Sequence, residues 1–153
     1  MLTFSLDTNC LIDIAEERPN SGAIRALADA HARGEVSVAV VAISASEKQK
    51  TGEHLTNFEQ FRTRLEILAL GHLEILKPIG YSDIGFWDWA YDARPEMVAL
   101  ENKIHDVLFP NVEFQWSEFC SARGWDPNAH PVDAKWRNAK CDVQALWSHI
   151  HHG

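Results

Sequence analysis

No apolar run in the chain approaches the ~20 residues that a membrane-spanning helix requires. The first residues lead straight into Asp7, with neither the positively charged start nor the long apolar stretch of a secretory signal. The expectation is a cytoplasmic protein. Cysteine is scarce. Cys10, Cys120 and Cys141 are odd in number, widely spaced and free of any paired zinc pattern, so each is expected to be a reduced, partly buried small apolar residue. Positive charge is also short. Lys and Arg number 14 against 22 Asp and Glu, a net charge of −8, which argues against a broad basic surface for nucleic acid. It does not exclude a nuclease, because a site built from carboxylates stays acidic until a cation binds and changes the local sign. Internal repeats and low-complexity segments are absent.

What remains is an ordinary globular composition. The 153 residues suggest a single domain, with 46% hydrophobic and 24% charged residues. A chain of this length buries roughly 68–70% of the surface its unfolded form exposes.

The stretch Leu2 to Leu6 alternates apolar and small polar side chains, which predicts a short strand. Asp7-Thr8-Asn9 then forms an acidic turn, and a helix is expected from about Asn9 or Cys10. Ser21 to Ala32 reads as a helix with Gly34 as its C-cap. Glu35 to Ile43 is nearly all apolar and β-branched, the pattern of a strand buried on both faces of a parallel sheet. Strand, helix, helix, strand is an α/β order. Thr56 to Leu70 predicts an amphipathic helix stopped by Gly71, on which Arg62 and Arg64 are expected to be solvated. His72 to Pro78 predicts another short strand. The aromatic segment Ile79 to Arg94 is expected to pack into the core rather than stack on bases. Pro95 opens a helix to Phe109, with Met97, Leu100, Ile104, Val107 and Leu108 as its apolar stripe. Trp116 to Arg123 predicts a helix ended by Gly124. Asp133 to Ile150 predicts the last helix, capped by Asp133, with Trp136, Ala139, Val143, Leu146, Trp147 and Ile150 inward. His149, His151 and His152 are expected to complement its dipole or fray.

Three carboxylates stand out. Asp7 follows the first strand, where open parallel sheets place their ligands. Asn9 can fix that turn, although Asp, Thr and Asn are also plain capping residues. Glu47 follows the second strand, yet Ser44-x-x-Glu47 is equally a capping box. Asp142 lies at the border of the last helix's apolar stripe, with Asn138 one turn earlier, and reads either as a solvated flank or as a carboxylate turned into a crevice.

In order and spacing, Leu6-Asp7-Thr8-Asn9-x-Leu11-Ile12, then Ser46-Glu47, then Cys141-Asp142-Val143-Gln144-Ala145 resemble the PIN-domain nucleases, most of all the toxin ribonucleases of type II toxin–antitoxin pairs. Residues 51–130 match in helical character only. The resemblance implies a three-layer α/β/α fold with a mainly parallel sheet. It implies metal-dependent endoribonuclease activity, with Asp7, Glu47 and Asp142 as carboxylate ligands of Mg²⁺ or Mn²⁺ and Asn9, Thr8 and Asn138 in support. It also implies an RNA substrate, a small antitoxin protein as partner, and a homodimer. Family members usually continue the late helix into another strand with a further acidic residue. That strand is not found before Gly153, so the expectation is a PIN-like domain over residues 1–153 lacking its last strand, either C-terminally truncated or completed by a partner. The alternatives are a catalytically impaired PIN-like binding or assembly module, and an unrelated α/β domain whose acids are caps and surface residues.

Overall fold

Valine and alanine make Ser37–Val41 (β2) suited to a strand covered on both faces. The computed structural model describes residues 1–43, 55–82 and 84–153. In it β2 is the middle strand of an open, all-parallel sheet of three. It pairs with Thr3–Leu6 (β1) on one side and Glu74–Leu76 (β3) on the other. The register sets Leu6 beside Val40 and Val41 beside Leu76, so all three strands end at a similar level. Parallel pairing demands long crossovers, and helices supply them. The described helices are Thr8–Ala15 (α1), Ser21–Ala32 (α2), Phe58–Ile67 (α3), Pro95–Leu108 (α4), Trp116–Ser121 (α5) and Ala134–His152 (α6), and Trp87–Trp89 forms a 3₁₀ turn. The mixed α/β class expected from the element order is the one observed.

Alternation along β2 divides the core. Val38, Val40 and Ala42 join Leu6, Leu11, Ile14, Ile24 and Phe61, which brings α1, α2 and α3 to one face. Ala39, Val41 and Ile43 join Leu76, Phe119, Trp136 and Cys141, which brings α5 and α6 to the other. A third cluster, Ile79, Ile104, Val143 and Trp147, fastens α4 to α6.

Ends of elements follow local chemistry, with one correction. Gly34 and Gly124 sit at φ +74° and +68°, left-handed positions that glycine takes without a Cβ penalty, as expected of helix stops. α3 ends differently. Its chain turns at Ala69, φ +60°, before Gly71 is reached. Burying Leu68 and Leu70 on either side of that alanine holds it there, so tertiary packing overrides the glycine preference.

Two helical stripes are shifted from those expected. Val107 is 80% exposed and Leu108 42%, whereas Glu101 and His105 are buried. On α6, Leu146 and Ile150 are part-exposed, while Lys140, Gln144 and Ser148 are buried beside Trp136 and Trp147. The reason is that both helices meet each other through a polar network, described below. The terminal histidines stay within α6 and make contacts: His151 stacks on Trp147 and His152 Nε2 reaches the carbonyl of Lys77 at 3.1 Å. Arg62 is exposed, but Arg64 is part-buried, and removal from water lowers its pKa. Trp89 stacks on Phe58, as core packing requires, whereas Trp87 is exposed. None of the three cysteines forms a disulfide, and Cys120 and Cys141 are fully buried. Among the described residues no helix is long and apolar enough to cross a membrane.

Candidate metal-binding groove

Asp7 is the N-cap of α1. Its Oδ1 accepts from the backbone N–H of Cys10 at 3.0 Å, and its Oδ2 accepts from Asn9 Nδ2 at 3.3 Å. The capping role and the site role therefore coexist, because an ionised carboxylate has about four acceptor positions and two are used. Asn9 supports Asp7 through the carboxylate itself. Thr8 is 2% exposed and belongs to the packing of α1 rather than to the groove. Burial, with Asp7 nearby, pushes the Cys10 thiol up to about 11, which keeps it a thiol at neutral pH.

A groove of about 450 Å³ runs beside β1, lined by Ser5, Asp7 and Val41 on the sheet and by Asp142, Leu146 and His149 on α6, among others. Asp142, Ala145, Leu146 and His149 recur at helical spacing, so one face of α6 looks into it. This explains the exposure of Leu146: it lines the groove instead of the core. Ser5 Oγ and His149 Nδ1 lie 2.8 Å apart and tie the helix to the strand across the groove floor. Asp142 holds its proton above the ordinary carboxylate range, chiefly because it is partly withdrawn from water and secondly because Asp7 adds like charge. Two acids far apart in sequence thus share one electrostatic environment at the carboxyl end of β1.

Asn138 is exposed and does not line this groove. Glu47 lies outside the described residues, as do Ser44, Lys48 and Lys50. Among the described residues no three His, Cys, Asp or Glu side chains come together as a metal cluster. Other acids are committed elsewhere: Asp13 holds Arg18 and Asn20, and Asp133 caps α6. Ser5 and His149 were not foreseen as groove residues. The i, i+3, i+4, i+7 row starting at Asp142 is the signal that marks His149.

The chain matches no protein-family model, no curated protein and no solved structure. The reading of the groove rests on its own chemistry.

Because Asp7 both caps and lines the groove, two substitutions separate its roles. Asp7→Ala removes the cap and should destabilise the protein by about 1 kcal/mol, within a range of 0.5–2, whereas Asp7→Asn keeps a good capping oxygen and should change stability much less. Urea unfolding of both variants measures this. Equal losses would show that the charge, not the cap, matters to folding.

Proposed function

We propose that the protein is a metal-dependent endoribonuclease of PIN-like, three-layer architecture, with Asp7 and Asp142 as metal ligands and Glu47 completing the set. One observation carries the reading: Asp7 and Asp142 converge on one groove at the carboxyl end of β1, where Asp142, though solvent-exposed, has its pKa raised chiefly by partial withdrawal from water and secondly by the charge of Asp7. Crowded carboxylates of like sign suit a hard divalent cation such as Mg²⁺ or Mn²⁺, which takes oxygen ligands. When bound, such a cation neutralises charge on a phosphate and lowers the pKa of water.

The chain's own residues prepare the groove. The Cys10 amide and Asn9 fix the rotamer of Asp7, which leaves its other lone pairs toward the groove. The Ser5–His149 contact holds α6 at the spacing that sets Asp142 against Asp7. As part of the same proposal, the partners are an RNA strand, a small antitoxin protein and a second copy of the chain.

Thermal unfolding with and without millimolar Mn²⁺, on wild type and Asp142→Asn, tests the metal site. At 100 times the dissociation constant a ligand stabilises by about 2.7 kcal/mol, which for a domain of this size is a rise of roughly 5–10 °C. The rise is expected in the wild type and not in Asp142→Asn. Without metal the sign reverses. The folded state keeps the Asp142 proton to higher pH than the unfolded chain, so stability falls as pH rises from the ordinary value of 3.8 toward the raised one. Asp142→Asn should therefore melt at or above the metal-free wild type near neutral pH. Metal-dependent cleavage of single-stranded RNA should vanish in Asp7→Asn and Asp142→Asn. A wild type whose melting ignores Mn²⁺ would favour the non-catalytic binding module instead.

A further inference from the structure

A second cavity, of about 430 Å³, opens between the loop after β3 and the first turns of α6. Its size falls in the range of small-molecule sites. Like Asp7, it lies beyond the carboxyl ends of the strands, where sheets of this class bind ligands. Its walls include Tyr81, Trp116 and Trp136. The indole N–H of Trp116 donates to the Pro127 carbonyl and that of Trp136 to the Glu113 carbonyl, both at 3.1 Å. The polar ends of both indoles are therefore occupied, and what they offer a ligand is ring surface.

At the inner end lies Lys140, whose side chain is only 3% exposed. Its Nζ is 2.7 Å from Glu101 Oε1, its one oxygen partner among the described residues, and is 3.9 Å and 4.3 Å from the ring centroids of Phe114 and Tyr81. An ammonium has three N–H donors and no acceptor, so Lys140 keeps donor capacity for an incoming oxygen. Glu101 is already satisfied, by Lys140 and Gln144 Nε2 on Oε1 and by the Tyr81 hydroxyl on Oε2. The pair is close to neutral. A second buried anion beside Glu101 would carry an uncompensated desolvation cost, whereas a neutral carbonyl oxygen would not. Gln115 and Asn128 at the rim each combine a donor and an acceptor.

We propose that this cavity binds a keto-bearing nucleobase, its ring against Trp116 and Trp136 and its carbonyl oxygen on Lys140. The same chemistry is presented by a free nucleoside and by an unstacked base of an RNA strand. The inference is independent of the cleavage reading, because its test omits divalent cations and reads binding alone.

The test follows the indole N–H resonances of the folded protein during titration with inosine, uridine, adenosine and benzoate. Inosine and uridine should shift the Trp116 and Trp136 signals saturably. Adenosine, with an amino group where inosine has an oxygen, should bind at least about fivefold more weakly, since Lys140 can only donate. Trp116→Leu should weaken inosine binding by roughly five- to a hundredfold, the worth of one stacked base. Asn128→Phe, at an exposed turn, should block entry while leaving the other resonances in place. A fixed-length oligouridylate then distinguishes the sources. Shifts of the same two signals at lower concentration than uridine identify a strand, and shifts by nucleosides alone identify a free nucleoside; both support a base pocket. The proposal is overturned if no nucleoside shifts these signals at millimolar concentration, if adenosine binds as well as inosine, if benzoate binds best, or if inosine binding survives both substitutions.

Discussion

Lys140→Met is expected to cost about 3–5 kcal/mol of stability, because it leaves the Glu101 carboxylate buried without its counter-charge. Glu101 is 0% exposed, so its carboxylate has no bulk water in place of the ammonium. In melting temperature the loss amounts to roughly 6–20 °C for a domain of this length. The double variant Lys140→Met/Glu101→Leu should recover only part of it. Exchanging a buried pair for apolar groups is often neutral. Here, however, the Tyr81 hydroxyl and Gln144 Nε2 would both lose their acceptor, and a stranded donor costs about 1–3 kcal/mol. The pH dependence has a definite sign. Burial lowers the Lys140 pKa more than Glu101 raises it, so between that lowered value and the ordinary 10.5 the unfolded chain binds more protons. Wild-type stability should gain from Lys140 as pH rises through that window, and Lys140→Met should lack the gain. Above 10 the Tyr81 hydroxyl, pushed up by burial and by Glu101, works in the opposite direction. Urea unfolding across pH measures all of this. A loss below about 1 kcal/mol would mean that the Glu101 carboxylate reaches another cation.

That network also shows where sequence patterns stop being informative. β2 was readable because a continuous apolar, β-branched run has one stable setting, a strand covered on both faces. α2 was readable from its alanine-rich, helically spaced residues and the glycine stop after it. The facing sides of α4 and α6 were not, since hydrophobic periodicity treats Glu101, His105, Lys140 and Gln144 as surface. Their signal was the spacing: Trp136, Lys140, Gln144 and Ser148 fall four apart, and Glu101 and His105 likewise, along the rows that face a helical neighbour. Only knowledge that the two helices touch turns those rows into a buried pair. The Gly71 stop fails for a similar reason, because the left-handed turn at Ala69 is held by packing on both sides.

In the candidate groove the positions of Asp7 and Asp142 were readable and their relation was not. Asp7 is announced by a strand ending in a capping residue. Asp142 is ambiguous in one dimension, and it becomes a groove residue only because Cys141 and Val143 on either side are buried in different clusters, which leaves the intervening side chain beside β1. Ser5 could not be picked out, since a small polar residue on a short strand carries no mark until His149 is brought against it.

Trp147→Ala should separate the stability of the fold from the integrity of this groove. Trp147 is fully buried, donates its indole N–H to the Met97 carbonyl at 3.1 Å and stacks under His151. Its truncation is expected to cost about 3–5 kcal/mol, as for other large core aromatics. Yet α6 is held twice: by Trp147 and Val143 against α4, and by Cys141 and the Ser5–His149 contact against the sheet. Asp142 lies on the sheet side. In molecules that remain folded, Asp142 should keep its place against Asp7, so the melting temperature should drop by roughly 6–20 °C while the increment produced by Mn²⁺ persists. Thermal unfolding with and without Mn²⁺ reads both quantities from one pair of curves. Loss of the increment along with the stability would instead mean that the α4 contact sets the orientation of α6, and that Asp142 shares the groove with Asp7 only because the far side of the helix is packed.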